Sequence, residues 1–574
     1  MTFRRILLFL VIMVFMPSVV LTHSEEDYSS IIESFRKSIP KLMRDQRVPG
    51  LAAAVVTGSK ILWLEGFGYT DWDKKIPVTQ DTLFSIQSMS KNFTAAAVLK
   101  AVEEGLLDLD TPISEYIPEF TVKSRFEEKP QDKITLRLLL SHQAGFTHEA
   151  PVGNNFVPGG FEEHIRSISR TWLRFPVGQR YSYSNLGIDL AGWILQTQSG
   201  LPFHEYVKKK LLDPMGMEAS TFNMKKIKAD SRRAAGHDGS GSALPVEIPM
   251  IPSGGFYSNA AELAGWVQWH LNGGKIDSKP FIAAGLFQQM YDIPNRLPHQ
   301  TSGYGLGTGI RLNHNSLRFG HGGGGFGFLS AMNWYPEWNL GAVLLANCSS
   351  HDFQHSLINS ILDRFLEAQL GSLPARPISE ADPSLEEVFF SPEQLRRFAG
   401  RYLYNRNGYM IIQFKDGRLA AGDVDNPNPF TFYSEEGDVY IDFGGSNFYC
   451  KFVPGPDGSP GRFISLHEGQ HLDYNDGPED PPGPDRAEWD LYVGEYRSFS
   501  YGQHAGTYKI HKKNGYLWID YMKLKEYRKG IFFTAHGECL DFTGPQPAWR
   551  NIKLKKHLIL PTAHGNFAPS PEGD

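Results

Sequence analysis

Cysteine is scarce: only three stand among the 574 residues. Cys348, Cys450 and Cys539 cannot all pair within one chain, so at least one is free or intermolecular. A chain this long builds large cores that need no disulfides. Cys/His clusters at zinc-ligand spacing are missing too, which predicts neither a metal site nor a cofactor. Basic runs are also lacking. Lys208 to Lys210 is too short to attract a nucleic acid, and the net charge is -6. Beyond the first two dozen residues, no apolar stretch is long enough to span a bilayer.

What is present starts with that N-terminal stretch. Arg4 and Arg5 precede an apolar run from Ile6 to Leu21, broken by Pro17, and Thr22 to Glu26 turn polar. This order predicts a signal peptide over 1–22 and a secreted, extracellular protein without an integral membrane span after cleavage. The whole chain has 41% hydrophobic and 21% charged residues, ordinary for folded domains, and its length predicts two to four of them.

Between 25 and 370, helical and strand-like runs alternate. Leu51 to Val56 and Ile61 to Gly66 read as strands around the turn Thr57 to Lys60. Phe93 to Leu107, Leu186 to Thr197 and Ala261 to Leu271 have helical spacing. Phe328 to Trp334 and Leu340 to Leu345 read as two further strands. The pattern predicts an α+β domain, an antiparallel sheet flanked by helices. A Pro/Ser/Glu-rich linker over 371–392 follows, and helical periodicity then stops. Two similar β segments, 393–474 and 487–574, flank a Pro/Gly/Asp-rich break at 475–486. Phe398-Ala-Gly-Arg-Tyr402 matches Tyr492-Val-Gly-Glu-Tyr496, and Cys450 and Cys539 fall in comparable strands. Two small all-β barrel-like repeats are expected, separable from the first domain.

Chemistry concentrates in the first domain. Ser88-Met89-Ser90-Lys91 is a Ser-x-x-Lys motif, which matters when it opens a helix, because residues three apart then share a face. Ser88 would gain the positive end of the helix, and Lys91 would face its hydroxyl. Ser38-Ile39-Pro40-Lys41 matches by chance. Downstream come Ser141-His142-Gln143-Ala144-Gly145, then Tyr183-Ser184-Asn185, then His321-Gly322-Gly323-Gly324-Gly325.

In this order the elements resemble those of class C β-lactamases, D-aminopeptidases and related esterases of the penicillin-binding-protein superfamily. The resemblance spans about Val48 to Cys348 and implies a β-lactamase/transpeptidase-like fold. It implies that Ser88 is the acylated nucleophile, Lys91 its partner and Tyr183 a proton shuttle. Asn185 would contact substrate and lysine. His321, Gly322 and Gly323 match the Lys-Thr-Gly strand, and the amides of Ser88 and Gly324 would form the oxyanion hole. Two departures weaken β-lactam hydrolysis. Histidine replaces the permanent cation of that strand, and Gly324 has no hydroxyl. Tyr257-Ser258-Asn259 is a decoy, with Asn259 and Glu262 placed for a capping box.

The residues thus predict a secreted serine hydrolase of small amide, ester or D-amino-acid peptide substrates. The alternative is a non-catalytic binding or extracellular-matrix protein that retains the fold. Asn347-Cys348-Ser349 and Asn92-Phe93-Thr94 are glycosylation sequons; the second lies in the Ser88 helix and should stay unmodified.

Overall fold

A computed structural model describes residues 27–557 apart from 155, 239–242, 245, 247, 375–384, 405–407, 422–429, 444–448, 456–460, 467–468, 478–482 and 501–502. The predicted signal segment lies outside the described residues. Among the described residues, no helix is long and apolar enough to cross a membrane.

The first domain is built on a seven-stranded antiparallel sheet. Its strands are β1 (Gly50–Val56), β2 (Ile61–Gly68), β3 (Gly303–Tyr304), β4 (Gly309–Asn313), β5 (Ser316–Gly325), β6 (Phe328–Tyr335) and β7 (Leu340–Ala346). In space they run β2-β1-β7-β6-β5-β4-β3. Central strands β1 and β7 are buried along their whole length, which is why both read as continuous apolar runs. Successive side chains point to opposite faces. Ala52, Ala54 and Val56 therefore enter one core while Leu51, Ala53 and Val55 enter another.

The smaller core is closed by α1 (Ser29–Asp45), which buries Ile31, Phe35, Ile39 and Met43 at four-residue spacing. The C-terminal helix of the domain, labelled α5 below (Gln354–Leu370), closes it from the other end of the chain. The larger core lies on the other face. It holds α2 (Ser90–Glu103), α3 (Asn185–Ser199) and α4 (Ala260–Leu271). Almost all of α2 is buried, so its polar residues have internal partners. Asn92 donates to Thr308 Oγ1 at 2.8 Å and accepts from Trp266 at 2.8 Å, which leaves its sequon enclosed. Asn347 is equally enclosed, accepting the Gly50 amide at 2.7 Å.

The C-terminal region is all-β, in two nine-stranded sheets. Each repeat closes its last strand on its first: His471–Asp476 pairs with Gly400–Tyr404, and Lys555–His557 pairs with Gly494–Ser500. The matched motif does the same work twice. Tyr402 Oη donates to Phe398 O at 3.0 Å, and Tyr496 Oη donates to Tyr492 O at 2.8 Å. The first sheet begins earlier than the compositional break implies, because Glu386–Val388, inside the expected linker, pairs with Thr431–Glu435. Its last strand likewise runs to Asp476, past the expected end at 474.

The first domain, expected to be separable, meets the repeats through a packed interface. Trp172 is 8% exposed because it packs against Ile531 and Phe533 of the second repeat. Arg174 is 4% exposed, with its guanidinium 3.3 Å from Glu538 and donating to His536 O at 3.0 Å. Arg180 meets Asp473 of the first repeat at 2.6 Å. A chain ending near Leu370 would uncover an apolar indole and leave two guanidiniums without these acidic partners.

All three cysteines are free. Cys348 and Cys450 are buried, and burial pushes both thiols up, Cys450 well above the ordinary value. The native protein should therefore melt at the same temperature with and without reductant. A thiol reagent should reach Cys450 only after denaturant is added, which counting adducts by intact mass will check.

Candidate active site

Ser88 sits in a tight 3-10 turn, Gln87–Met89, that runs directly into α2. Gln87 holds a left-handed backbone, φ 50, uncommon for a residue with a side chain. Tertiary contacts hold it there. Ser90 Oγ donates to Gln87 O at 2.5 Å and accepts the Phe256 amide, and Ser330 Oγ donates to Ile86 O at 2.7 Å. Strain of this kind is maintained only where surroundings over-determine it.

Lys91 follows one turn later and is fully buried. Its Nζ donates to Ser88 Oγ and to Ser253 O, both at 2.9 Å. The carbonyl of Ser253 is fixed in turn by Asp189, which accepts the Ser253 amide at 2.9 Å and its hydroxyl at 3.1 Å. Asp189 also meets His164 Nε2 at 3.0 Å, with both side chains fully buried. Burial disfavours the imidazolium, but the hydrogen bond and charge of Asp189 outweigh it and raise the His164 pKa above its ordinary value. The stabilisation from this pair is therefore complete below about pH 6.5 and is lost as pH rises through the elevated pKa.

Tyr183 comes from the segment preceding α3. Its ring centroid lies 5.0 Å from Lys91 Nζ, 4.3 Å from the His142 ring and 5.7 Å from the His148 ring, with which it stacks. His148 Nδ1 meets the buried Glu149 carboxylate at 2.6 Å. Asn185 opens α3, and its Nδ2 donates to Met250 Sδ at 3.5 Å. Ser88 and Ser253 occupy hydrogen-bonding positions around Lys91.

The glycine strand β5 runs alongside the Ser88 turn. A Cβ at Gly323 would stand 2.2 Å from Ile86 O, so only glycine allows this approach. Gly324 follows, exposed, opposite Leu329 of β6. His321 Nδ1 contacts Gly322 O at 2.5 Å; a carbonyl only accepts, so Nδ1 carries the proton and Tyr304 Oη donates to Nε2 at 2.7 Å. Burial, reinforced by Lys91, lowers the His321 pKa to about 3, which leaves the ring neutral at pH 7.

The sequence-predicted Ser88, Lys91, Tyr183 and His321 therefore converge, while Asn185 turns to a methionine. The sequence motifs include none of Ser253, Asp189, His164, His148 and Tyr304. Asp189 carried a usable signal, an acid amid the apolar residues of α3. A backbone carbonyl such as Ser253 O carries none. The decoy Asn259 caps α4, accepting from Glu262 N at 2.8 Å. Only half of the expected box forms, because the Glu262 carboxylate accepts from Ala219 and Ser220. Among the described residues, no cluster of three metal-ligating side chains is found.

A serine-lysine pair at a helix start, a tyrosine against it and a glycine strand beside it define a serine-hydrolase type of site on a β-lactamase/transpeptidase-like fold. The Beta-lactamase family model matches residues 35–361, and the chain belongs to that family, whose members are typically serine hydrolases. Protein flp of Staphylococcus aureus (strain MW2) is 27% identical over 312 residues, 53% of this chain and 60% of that protein. Beta-lactamase-like protein 2 of Dictyostelium discoideum is 30% identical over 247 residues, 41% of this chain and 44% of that protein. The chain thus spans about 60% of the length of the first curated relatives it matches. In fold it is similar to the octameric penicillin-binding protein homologue from Pyrococcus abyssi, with a TM-score of 0.51 at 23% identity, covering 77% of this chain and 99% of that one. SurE, solved with D-Leu, gives a TM-score of 0.50 at 21% identity with the same coverage.

Asp189→Asn is expected to lower kcat by about ten- to a hundredfold with KM less changed, because the Ser253 carbonyl that positions Lys91 loses a charged anchor. The His164 titration, followed by NMR, should fall toward the ordinary range in the same variant. Wild-type kcat would show that Ser253 is held by other means.

Proposed function

We propose that this protein hydrolyses amide or ester bonds through an acyl-enzyme on Ser88. The observation that carries the reading is the 2.9 Å contact between buried Lys91 Nζ and Ser88 Oγ beneath the Tyr183 ring. As Ser88 Oγ bonds to the substrate carbonyl carbon, its proton passes to the Lys91–Tyr183 pair. The C–N or C–O bond then breaks, and the pair returns the proton to the departing amine or alcohol. Water repeats the sequence and frees the acid. Backbone amides of Ser88 and Gly324 take the oxyanion, a role worth several kcal/mol when the donors are fixed. With His321 neutral, position 321 offers no cation, which favours esters and D-amino-acid amides over β-lactams.

A fluorophosphonate probe followed by intact-mass spectrometry tests this. One probe mass on folded protein is expected, and a p-nitrophenyl ester, D-alanyl p-nitroanilide and nitrocefin panel should then rank the substrates in that order of bond class. A folded protein that never gains the probe mass would favour the non-catalytic extracellular-matrix or binding reading. We also propose export with cleavage between about Thr22 and Glu26, supported by the Arg4-Arg5 and apolar order; a secreted form that begins at Met1 would overturn the cleavage, and retention inside the cell would overturn the export.

A further inference from the structure

Tyr183 and the His148 ring stacked on it come from two loops, and neither residue belongs to a helix or strand. Loop backbone that is buried needs partners from elsewhere. The serines on either side of Tyr183 tie the two loops together. Ser182 Oγ donates to Phe146 O at 2.8 Å, and Ser184 Oγ donates to Thr147 O at 2.5 Å. Tyr183 is thus held between two hydrogen bonds to the loop that presents His148.

The anchor for both loops lies in the second β repeat. Strands Ile531–Thr534 and Cys539–Asp541 form a hairpin. Its tip is a closed turn, in which Thr534 N donates to Glu538 O and Gly537 N donates to Thr534 O, both at 3.0 Å. Gly537 has φ 76, and a Cβ there would stand 2.3 Å from Arg174 O, so glycine lets the tip seat on the first domain. Seating brings in Glu538, which is fully buried with Arg174, Thr147, Ser182 and Ser184. Glu538 Oε2 accepts from Thr147 Oγ1 at 3.2 Å, across 391 positions of the chain, and Oε1 lies 3.3 Å from Arg174 Nε. Arg174 Nη1 in turn donates to Ser182 Oγ at 3.0 Å. One carboxylate therefore reaches both loops, Thr147 directly and Ser182 through the rigid fork of a guanidinium. Asn551 of the same repeat adds a third hold, donating to Glu149 O at 2.8 Å beside His148.

We propose that Glu538 is a positioning residue for Tyr183, and that the second β repeat completes the active site by fixing the loops at 146–149 and 182–184. The inference rests on the reading of Tyr183 as half of the pair that moves the Ser88 proton. Trp172, Ile531 and Phe533 already supply apolar contact between these domains. Burying a carboxylate is costly, so what Glu538 adds to that contact is register. Register matters at Tyr183, because misplacing a reacting group by about 1 Å can lower a rate about a hundredfold.

Glu538→Gln in the full chain tests this, since the amide keeps the shape and removes the charge. Its kcat for p-nitrophenyl acetate is expected to fall about tenfold with KM within about twofold, because binding the ester does not need the shuttle in place. Ile531→Ala, which hollows the same interface under Trp172, should lower the melting temperature and keep the wild-type kcat. Fluorine NMR of the chain labelled with meta-fluorotyrosine gives a readout without turnover, the Tyr183 line being identified by its loss in Tyr183→Phe. That line should move in Glu538→Gln and stay in place in Ile531→Ala. If Glu538→Gln fails to fold, Thr147→Val, which deletes only a hydroxyl donor, should show the same pattern with a loss of about threefold. Wild-type kcat or an unmoved Tyr183 line in whichever of these two variants folds, or an equal loss in Ile531→Ala, overturns the proposal. A Tyr183 line that moves with Glu538 in a protein that hydrolyses no ester would sustain the hold on Tyr183 and refute the hydrolase reading instead.

Discussion

Ser88→Ala is expected to abolish turnover and fluorophosphonate labelling together while leaving the melting transition intact. The hydroxyl is half-exposed and its hydrogen bond from Lys91 is a small part of the packing around the turn. The covalent route, by contrast, disappears entirely. Losses on the order of 10⁴ to 10⁶ in kcat are usual when a nucleophile of this type is removed, and only binding and the oxyanion donors remain. Lys91→Ala should come close to the same floor, and the double variant should be hardly worse than either single one, because the two side chains act as a unit. Ser38→Ala, at the chance copy of the motif on α1, should behave as wild type. A Ser88→Ala protein that still takes up one equivalent of probe would place the nucleophile elsewhere.

Asp473→Ala should be the most damaging change to stability outside the first domain. This carboxylate is buried where the three domains meet. It accepts from Arg180 at 2.6 Å and from His536 Nδ1 at 2.9 Å. Burial by itself would raise its pKa, but the His536 hydrogen bond and the Arg180 charge hold it well below the usual carboxylate range. Removing it leaves a largely buried guanidinium without its acid, for which a loss of about 3 to 5 kcal/mol is typical. Because the folded pKa is depressed, this stabilisation is present above the unfolded value near pH 4 and declines as pH falls below it. The gap in urea midpoint between wild type and Asp473→Ala should therefore be full at pH 7 and shrink below about pH 4. An equal gap at pH 3 and pH 7 would show that lost packing, not the ion pair, is responsible. Asp473→Asn should be milder, since an amide oxygen still accepts from His536.

These two sites differ in how readable they were. The Ser88–Lys91 relation is local: three residues apart on a helix suffice to place one over the other. The strands around Thr57–Lys60 and the helices over α2, α3 and α4 follow from apolar periodicity, which reports the face an element must bury. Repetition of the Phe398–Tyr402 motif at Tyr492–Tyr496 likewise disclosed two β units, because identical strand closures demand similar residues.

Periodicity says nothing of partners far along the chain. Ser253 supplies its carbonyl to Lys91 across 162 positions, and Arg180 finds Asp473 across 293. Arg311 and Arg318 are near in sequence, yet only strand register sets them opposite each other. The contacts between the first domain and the repeats were hidden for the same reason. Composition marks where helices stop, but only the folded chain shows Trp172 and Arg174 covered by the second repeat. The amino-acid sequence by itself determined the main helices and strands, the family and the Ser88–Lys91 neighbourhood, because each is set by side chains a few residues apart. Tertiary packing decided what holds Lys91 and which surfaces are interfaces, because those depend on how distant segments share buried space.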